Sequence, residues 1–474
     1  MKRLCPILLA LLAFPLCEMQ ARVLLPALFS DNMVLQQNSV SAIWGQASGN
    51  KVTITADWLD EAVEAPVTKG KWKASLPTPA ASCEPHAIRI ADNNSETVIE
   101  NVLIGEVWIC SGQSNMEMTL RGFYQQEISG AFEQALKASL YKDKVRAITV
   151  ERYESETPRG AFRGRWIVPD PQSVMGISAT AWYFAASLSD MIGVPVGIIC
   201  ASRSSSKIEA WMPKELLAAE FGYDVEKINS DPSIRGISKC GLLYNGMLAP
   251  VMGYAARGFL WYQGESNRDN PEIYPQLMSA MVSQWRKQWG DHKAAMPFIY
   301  VQIAPYSYGD PDGLSVPEIV EAQLEAARMI DNSAIVATTD IGSEYRIHPA
   351  AKDVVGRRAA VEACRKAYST DIPDASGMTM SGAEFAGGKV FVTFGNAGYG
   401  LKDNDGIKGF ELAGEDGVFH KADAEIYKGK PMVVVSSDKV KKPVEVRYAY
   451  RNYIESNLEN TLGYPAYPFR AAAE

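Results

Sequence analysis

The amino-acid sequence predicts an α/β protein: a three-layer α/β/α domain around a parallel sheet, with a β-sandwich before it and an additional β-rich region after it. From Leu103 onward, apolar runs alternate with helical stretches, which is the pattern of a parallel sheet covered by helices on both faces. Before that point, and again after about Ser369, short alternating runs are interrupted by turn residues, which is typical of antiparallel β modules.

Length and charge limit the alternatives. At 474 residues the chain is too long for one core. We predict a signal peptide over 1–21, a β-sandwich over 22–102, an α/β domain over 103–368 with an insertion at about 211–241, and a C-terminal β-rich region over 369–474. The net charge of −8 argues against nucleic acid and anionic membranes as partners.

The N-terminus has the pattern of an export signal. Two basic residues precede an apolar run over 4–16, which is too short to span a membrane. Cleavage after Ala21 would release a periplasmic or extracellular protein, and a lipoprotein tether at Cys17 is the weaker alternative. No later stretch is long and apolar enough for a membrane span. The remaining cysteines are odd in number and widely spaced, which fits neither a disulfide framework nor a metal site.

The predicted elements follow in chain order. The first β module contains runs at 33–35, 42–44, 51–54 and 87–90. The predicted strands of the α/β domain are 104–110, 145–150, 194–201, 258–263, 298–303 and 334–339. The predicted helices include 123–140, 179–192 with a Ser178 cap and a Gly193 stop, and one that begins near Ala351. The last β region contains runs at 389–394, 409–412, 432–436 and 443–450.

A serine follows the first predicted strand of the α/β domain, in Gly112-Gln113-Ser114-Asn115-Met116. The carboxyl end of a sheet strand, before a helical segment, is where α/β enzymes place a nucleophile. The segment is not the G-x-S-x-G elbow, because Asn115 and Met116 follow the serine. The alternative is a polar turn in which Ser114 caps a helix.

A serine nucleophile needs a base, and the chain contains four histidines. His348 follows a core strand of the α/β domain and a short loop, and then meets Pro349 and a predicted helix. Because the carboxyl ends of parallel strands meet at one edge of the sheet, we expect His348 beside Ser114.

Two further strand ends carry polar groups. The segment 260–267 contains Gln263 and Asn267, whose neutral amides suit an oxyanion. The segment 201–207 contains three serines after a strand and offers backbone N–H donors; a plain polar loop is the alternative for this run.

In combination, these motifs resemble the sialate O-acetylesterase family of the SGNH-hydrolase superfamily. The resemblance rests on the Ser114 segment, on Trp261-Tyr262-Gln263-Gly264-Glu265-Ser266-Asn267, and on Ile347-His348-Pro349 followed by Lys352 and Gly356-Arg357-Arg358. Shorter matches at 33–36, 208–211, 243–247, 302–305 and 468–470 extend it over nearly the whole mature chain. It implies an SGNH-type fold without a metal or cofactor, with Ser114 as nucleophile and His348 as base. It also implies an oxyanion hole formed by the Ser114 N–H, by the 201–207 loop at Ser205, and by the side chain of Gln263 or Asn267.

The chain departs from the family pattern at two places. Where the family often carries Trp-Gly-Gly-Thr, this sequence has Arg203-Ser204-Ser205-Ser206, and a positive φ there would be costly for serine. The superfamily's Asp-x-x-His is absent, because Tyr345 stands three residues before His348. Glu344, which we favour, and Asp340 are the available carboxylates; a Ser–His dyad with a backbone carbonyl is the alternative.

The resemblance implies a secreted carbohydrate esterase that removes O-acetyl groups from sialic acids through an acyl-enzyme. Arg203 would suit the carboxylate of sialic acid, and the loops around Trp211 and Trp261 would set substrate choice. One alternative is the same chemistry on another acetylated glycan such as xylan. A second is a glycan-binding protein without catalytic activity.

Overall fold

The computed structural model describes residues 23–368, 370 and 375–473. The predicted signal peptide, its cleavage point and the alternative tether at Cys17 lie outside the described residues. Within the part of the chain that is described, no helix combines the length and apolarity that a membrane crossing requires.

The N-terminal region is built from strands that alternate buried and exposed residues. Along β5 every second side chain is buried, including Trp72, Ala74 and Leu76, which is the pattern of a sheet with one face on a core. The strands are β1 Val34–Gln36, β2 Ser39–Gln46, β3 Lys51–Ala56, β4 Val63–Pro66, β5 Lys71–Thr78, β6 Ser82–Ala91 and β7 Glu96–Gly112.

Strand β7 joins this region to the central sheet. It is 17 residues long. Its first half pairs antiparallel with β6, and its second half pairs parallel with strands on both sides. One continuous strand therefore links the two regions without a flexible connection.

The central sheet is parallel and buried on both faces. Its order is β8-β9-β7-β10-β11-β12, and every neighbouring pair in it is parallel. All residues of β9, β10, β11 and β12 are buried, as expected when helices cover both faces. The new strands are β8 Val145–Thr149, β9 Val196–Ser202, β10 Gly258–Tyr262, β11 Phe298–Val301 and β12 Ser333–Val336.

Helices form the two outer layers. Helices α3 and α8 pack together on one face, and α6 and α7 pack together on the other. Ser178 caps α3 by accepting a hydrogen bond from the Ala181 N–H, and Gly193 ends it at φ 72°. The helices are α1 Ser114–Glu117, α2 Ala131–Lys137, α3 Ala179–Ile192, α4 Lys214–Phe221, α5 Val225–Ser230, α6 Tyr274–Gln288, α7 Ser315–Met329 and α8 Lys352–Ala367. The predicted three-layer α/β fold class, with flanking β regions, is confirmed.

One predicted helix is wrong in its first half. Helix α2 begins at Ala131, after Gly130 in the left-handed conformation at φ 64°. The preceding residues form a loop closed by hydrogen bonds between the backbones of Phe123 and Gln126. This difference matters, because that loop reaches the candidate site.

The C-terminal region contains two four-stranded antiparallel sheets around their own core. It is fastened to the α/β region by polar contacts. Asn452 Oδ1 accepts the Val316 N–H at 2.8 Å at the start of α7, and the Tyr467 hydroxyl donates to the Ile335 carbonyl at 2.9 Å. The strands are β13 Thr379–Ala386, β14 Lys389–Gly395, β15 Phe410–Ala413, β16 His420–Lys421, β17 Asp423–Ile426, β18 Met432–Ser436, β19 Glu445–Tyr448 and β20 Phe469–Ala472.

Candidate active site

Strand register brings three of the predicted segments together. Gly112, the last residue of β7, lies between Ser202 of β9 and Tyr262 of β10. A Cβ at Gly112 would lie 2.2 Å from the Tyr262 carbonyl oxygen, so only glycine permits this close approach. The segments that begin at Gln113, Arg203 and Gln263 therefore leave the sheet side by side.

Ser114 lies at the edge of a cavity. It is the first residue of α1, whose cap position is Gln113, so Ser114 does not itself cap this helix. The residue is only 7% exposed, yet it lines a cavity of about 770 Å³, which we call the site cavity. Other residues that line it include Phe123, Ser205, Glu265 and His348.

His348 reaches the same cavity with its ring held from behind. Its Nδ1 lies 2.5 Å from the side-chain carbonyl oxygen of Gln126, and its ring packs edge-on against Phe123 at 5.1 Å between centroids. Because an amide oxygen only accepts, Nδ1 carries the proton and Nε2 is left as an acceptor. Burial, with the nearby Lys352 cation, lowers the pKa of His348 to about 4. The imidazole is therefore neutral at pH 7.

Neither predicted carboxylate contacts His348 through a hydrogen bond or an ion pair within the described residues. Asp340 forms a bidentate pair with Arg358, at 2.8 and 2.7 Å. The carboxylate of Glu344 instead lies near the hydroxyl of the adjacent Tyr345 and raises the pKa of that hydroxyl. Among the described residues, the Nδ1 of His348 contacts the side chain of Gln126 and no carboxylate, because the 123–130 segment is a loop that folds over His348.

The 201–207 loop contains the positive φ that is costly for a serine. Ser205 lines the site cavity at φ 59°, in the region that favours glycine. The Ser204 N–H donates to the carboxylate of Glu117, which also pairs with Arg152. No acceptor for the Ser205 N–H occurs among the described residues. This N–H is the loop's available donor.

The side chains of Gln263 and Asn267 support the loops and do not line the cavity. Both protons of the Gln263 amide are committed, one to the Ser206 carbonyl at 3.1 Å and one to Asn267 Oδ1 at 2.7 Å. Asn267 donates to Glu209 at 2.9 Å. This corrects the expectation that these amides point at an oxyanion.

Two predicted substrate-binding residues also lie elsewhere. Trp211 is fully buried, donates to Ser206 Oγ at 2.9 Å and packs edge-on against Trp261. Arg203 pairs with Glu154 at 3.4 Å and does not line the site cavity. The Trp211 side chain lies in the core and the Arg203 side chain lies against Glu154, so neither is placed to bind a substrate in this cavity.

The family comparison covers the part of the chain that contains the candidate site. The family model for carbohydrate esterases described as sialic acid-specific acetylesterases matches residues 104–364. That range covers more than half of the chain and includes Ser114 and His348. The chain belongs to this carbohydrate esterase family.

Individual relatives agree with this assignment. A carbohydrate acetylesterase from Xanthomonas citri, whose crystal structure is known, is 30% identical; the match covers 95% of this chain and all of the other, with a TM-score of 0.84. Human sialate O-acetylesterase is 31% identical over 58% of this chain, and mouse sialate O-acetylesterase is 27% identical over 72%. The match spans little more than half, 56%, of the human protein and 73% of the mouse protein.

The candidate site contains residues that the sequence pattern did not identify. Gln126 gave no usable pattern, because it falls inside a stretch with helical periodicity. Arg268 lines the cavity with its guanidinium 3.3 Å from the ring centroid of Tyr308, and it donates to Ser315 at 2.8 Å. Lys352 belongs to the motif after His348, and the sequence pattern gave it no role. Its side chain is fully buried and contacts Asn115, the residue that follows Ser114. Among the described residues, no cluster of three or more His, Cys, Asp and Glu side chains has the arrangement of a metal site.

Proposed function

We propose that this chain is a serine-dependent acetylesterase that removes O-acetyl groups from carbohydrates, with O-acetylated sialic acids as the first candidate substrates. One observation carries the proposal. Ser114 and His348 line the same cavity, and Gln126 holds the imidazole with Nε2 free to accept a proton. Family membership and the names of the relatives support acetyl ester chemistry.

The reaction follows from this pair. Ser114 Oγ attacks the acetyl carbonyl carbon while its proton passes to His348 Nε2. The tetrahedral intermediate collapses, the bond to the sugar oxygen breaks, and that oxygen takes the proton from His348. Water then attacks the acetyl-serine, with His348 again accepting and returning a proton. Acetate is released, and Ser114 is regenerated.

Backbone groups are the best candidates for stabilising the oxyanion. The N–H of Ser114, at the first position of α1, has no acceptor within that helix. The Ser205 N–H is the second donor, because its loop follows β9, the strand that pairs with β7, and lines the same cavity as Ser114. Each fixed donor of this kind contributes about 2.7–4 kcal/mol to the transition state.

The proposed base works as a dyad with an amide partner. Gln126 Oε1 holds the ring and fixes the tautomer, as an acid does in a triad. A neutral amide stabilises the imidazolium that forms less than a carboxylate does. The low pKa of His348, at about 4, agrees with a buried ring that has no carboxylate partner within the described part of the chain.

A second candidate substrate class is a neutral acetylated glycan. The cations that line the site cavity are already paired with carboxylates: Lys207 with Asp269 at 2.9 Å, and Arg268 with Asp310 at 3.9 Å. A sialic acid carboxylate would have to compete with these partners, whereas a neutral sugar would not. The names of the relatives favour sialic acid, and this pairing favours the neutral glycan.

We also propose export, from the basic and apolar N-terminal pattern described above. The test is expression of the full chain in a bacterium, followed by N-terminal sequencing of the protein from the periplasm and the medium. A mature N-terminus near residue 22 supports export, and an intact N-terminus confined to the cytoplasm contradicts it.

The activity is tested by release of acetate. Wild-type protein and Ser114→Ala are compared on p-nitrophenyl acetate, on a panel of O-acetylated sialic acids and on acetylated xylan. We expect turnover by the wild type and loss of nearly all of it in Ser114→Ala, with both proteins folded by circular dichroism. Glycan binding by a wild type that releases no acetate would support the non-catalytic alternative.

A further inference from the structure

Lys352 is a buried lysine that the proposed reaction does not use. It is the first residue of α8, and its side chain is inaccessible to solvent. A cation is costly in such a place, because burial removes its hydration and the start of a helix is the positive end of the helix dipole. A lysine kept there needs specific partners.

The partners of Lys352 lie directly behind the nucleophile. Its Nζ donates to the side-chain oxygen of Asn115, and it lies 5.0 Å from the ring centroid of Tyr262. The nitrogen of the same Asn115 amide donates to Glu265 Oε1 and, at 3.3 Å, to the carbonyl of Ile347. One amide therefore joins a buried cation, a buried carboxylate and the main chain of the His348 loop.

This network ties together the parts that must meet for catalysis. Asn115 directly follows Ser114, and Ile347 directly precedes His348. Glu265 follows β10 and lines the site cavity. The main-chain oxygen of Asn115 also accepts the Thr180 hydroxyl of α3 at 3.0 Å. Movement of the Asn115 amide would therefore displace both the nucleophile turn and the loop that holds the base.

The buried charges in the network depend on each other. Burial raises the pKa of the Glu265 carboxyl, and it lowers the pKa of Lys352 to about 7. Glu265 Oε2 is buried and has no hydrogen-bond partner among the described residues. Lys352 and Glu265 interact through their charges and share the Asn115 amide. Removal of one would leave the other buried without its compensating charge, which is costly in a protein interior.

Lys352 also acts on His348 through its charge. Burial is the main cause of the lowered pKa of His348, and the charge of Lys352 lowers that pKa further, because a like charge nearby disfavours protonation of an imidazole. The other charged groups around the base belong to pairs on the neighbouring loops and along the cavity: Glu127 with Arg346, Lys207 with Asp269, and Arg268 with Asp310.

We propose that Lys352 is a positioning residue of this esterase: through the Asn115 amide and Glu265 it holds the Ser114 turn and the His348 loop together, and as a buried cation behind the site it disfavours a second positive charge on the imidazole. This inference rests on the proposed function for its kinetic consequences. Its electrostatic part does not need the protein to be an esterase.

The test compares Lys352→Met with Lys366→Met, a matched control at an exposed lysine on the same helix. We expect Lys352→Met to lower kcat about tenfold to 10²-fold with little change in KM, because displaced reacting groups cost this much. The acid limb of kcat/KM should move to higher pH by about half a unit or more. Lys366→Met should change neither quantity. Unchanged kcat and an unchanged acid limb in Lys352→Met would overturn the proposal.

An NMR titration separates this proposal from the esterase assignment. The chain has four histidines, so the imidazole signal of His348 can be assigned by its loss in His348→Ala. The pKa of His348 should rise in Lys352→Met and stay unchanged in Lys366→Met, whether or not acetate is released. Failure of the activity assay together with this rise would contradict the function and leave the network standing.

A double variant covers the case in which Lys352→Met does not fold. Lys352→Met combined with Glu265→Gln removes both buried charges and should recover much of the lost Tm, because a buried pair replaced as a unit is better tolerated than a broken one. The double variant should still show the reduced kcat and the raised acid limb. Wild-type kcat and pH profile in this variant would assign Lys352 to stability alone.

Discussion

His348 Nδ1 lies 2.5 Å from the side-chain oxygen of Gln126, a residue 222 positions earlier in the chain. The contact exists because the segment before Gly130 is a loop that folds over the His348 ring. It fixes the tautomer of the proposed base without a carboxylate.

Gln126→Ala should lower kcat at least about tenfold, because the ring loses the acceptor that holds its Nδ1 proton. The loss should stay below the roughly 10⁴-fold that follows a wrong tautomer in a Ser-His-Asp triad. Steady-state kinetics on p-nitrophenyl acetate measure it, with Gln125→Asn as the neighbouring control. A Gln126→Ala variant with wild-type kcat would show that the contact does not orient the base.

Gln126→Glu supplies a carboxylate partner for His348, which has none among the described residues. An anion beside Nδ1 stabilises the imidazolium, so the pKa of His348 should rise and the acid limb of kcat/KM should move to higher pH. A pH profile of wild type and variant measures the shift. An acid limb that stays in place would mean that residue 126 does not contact the ring during turnover.

Glu344→Gln and Asp340→Asn should each keep kcat within about tenfold of wild type, since neither carboxylate contacts His348 and a triad acid would cost far more. The Asp340 variant should nevertheless lower Tm, because it breaks the bidentate pair with Arg358, which also donates to the Gly463 carbonyl at 2.9 Å. Kinetics and thermal unfolding of the two variants separate these effects. A large loss of kcat in Glu344→Gln would restore the triad.

Ser205→Gly should retain or raise activity, and Ser205→Val should lower kcat by about 10²–10³, as expected for one lost oxyanion donor. The reason is the φ of 59°, which glycine adopts freely and a β-branched residue resists. KM should change little in either variant. Equal kcat in the Ser205→Gly and Ser205→Val variants would show that the Ser205 N–H is not part of the oxyanion hole.

The wild-type kcat/KM should remain near its plateau well below the ordinary histidine pKa. The base must be neutral to accept the serine proton, and the pKa of His348 is lowered to about 4, so the acid limb should fall as pH drops through that value. A profile from pH 3 to 8, corrected for unfolding by circular dichroism, checks this. An inflection near the ordinary value of about 6.5 would contradict the burial of the His348 ring beside the Lys352 cation.

Much of the fold and part of the site followed from the sequence alone. Apolar periodicity is local, so the strands and helix α3 were predictable within a few residues of their observed bounds. The carboxyl ends of parallel strands lie at one edge of the sheet, and this rule predicts that Ser114, the Ser205 loop and the 263–267 segment lie close together. The roles of Ser114 and His348 themselves stay predictions.

Tertiary structure decided where each side chain points. Gln263 and Trp211 both donate hydrogen bonds to Ser206, so their polar groups are committed to the loop after β9 and do not line the cavity. Gln126 left its predicted helix because Gly130 and the packing of Phe123 on His348 outweigh local helical periodicity. The contact between Gln126 and His348 joins residues 222 positions apart, and the local sequence pattern holds no information about it.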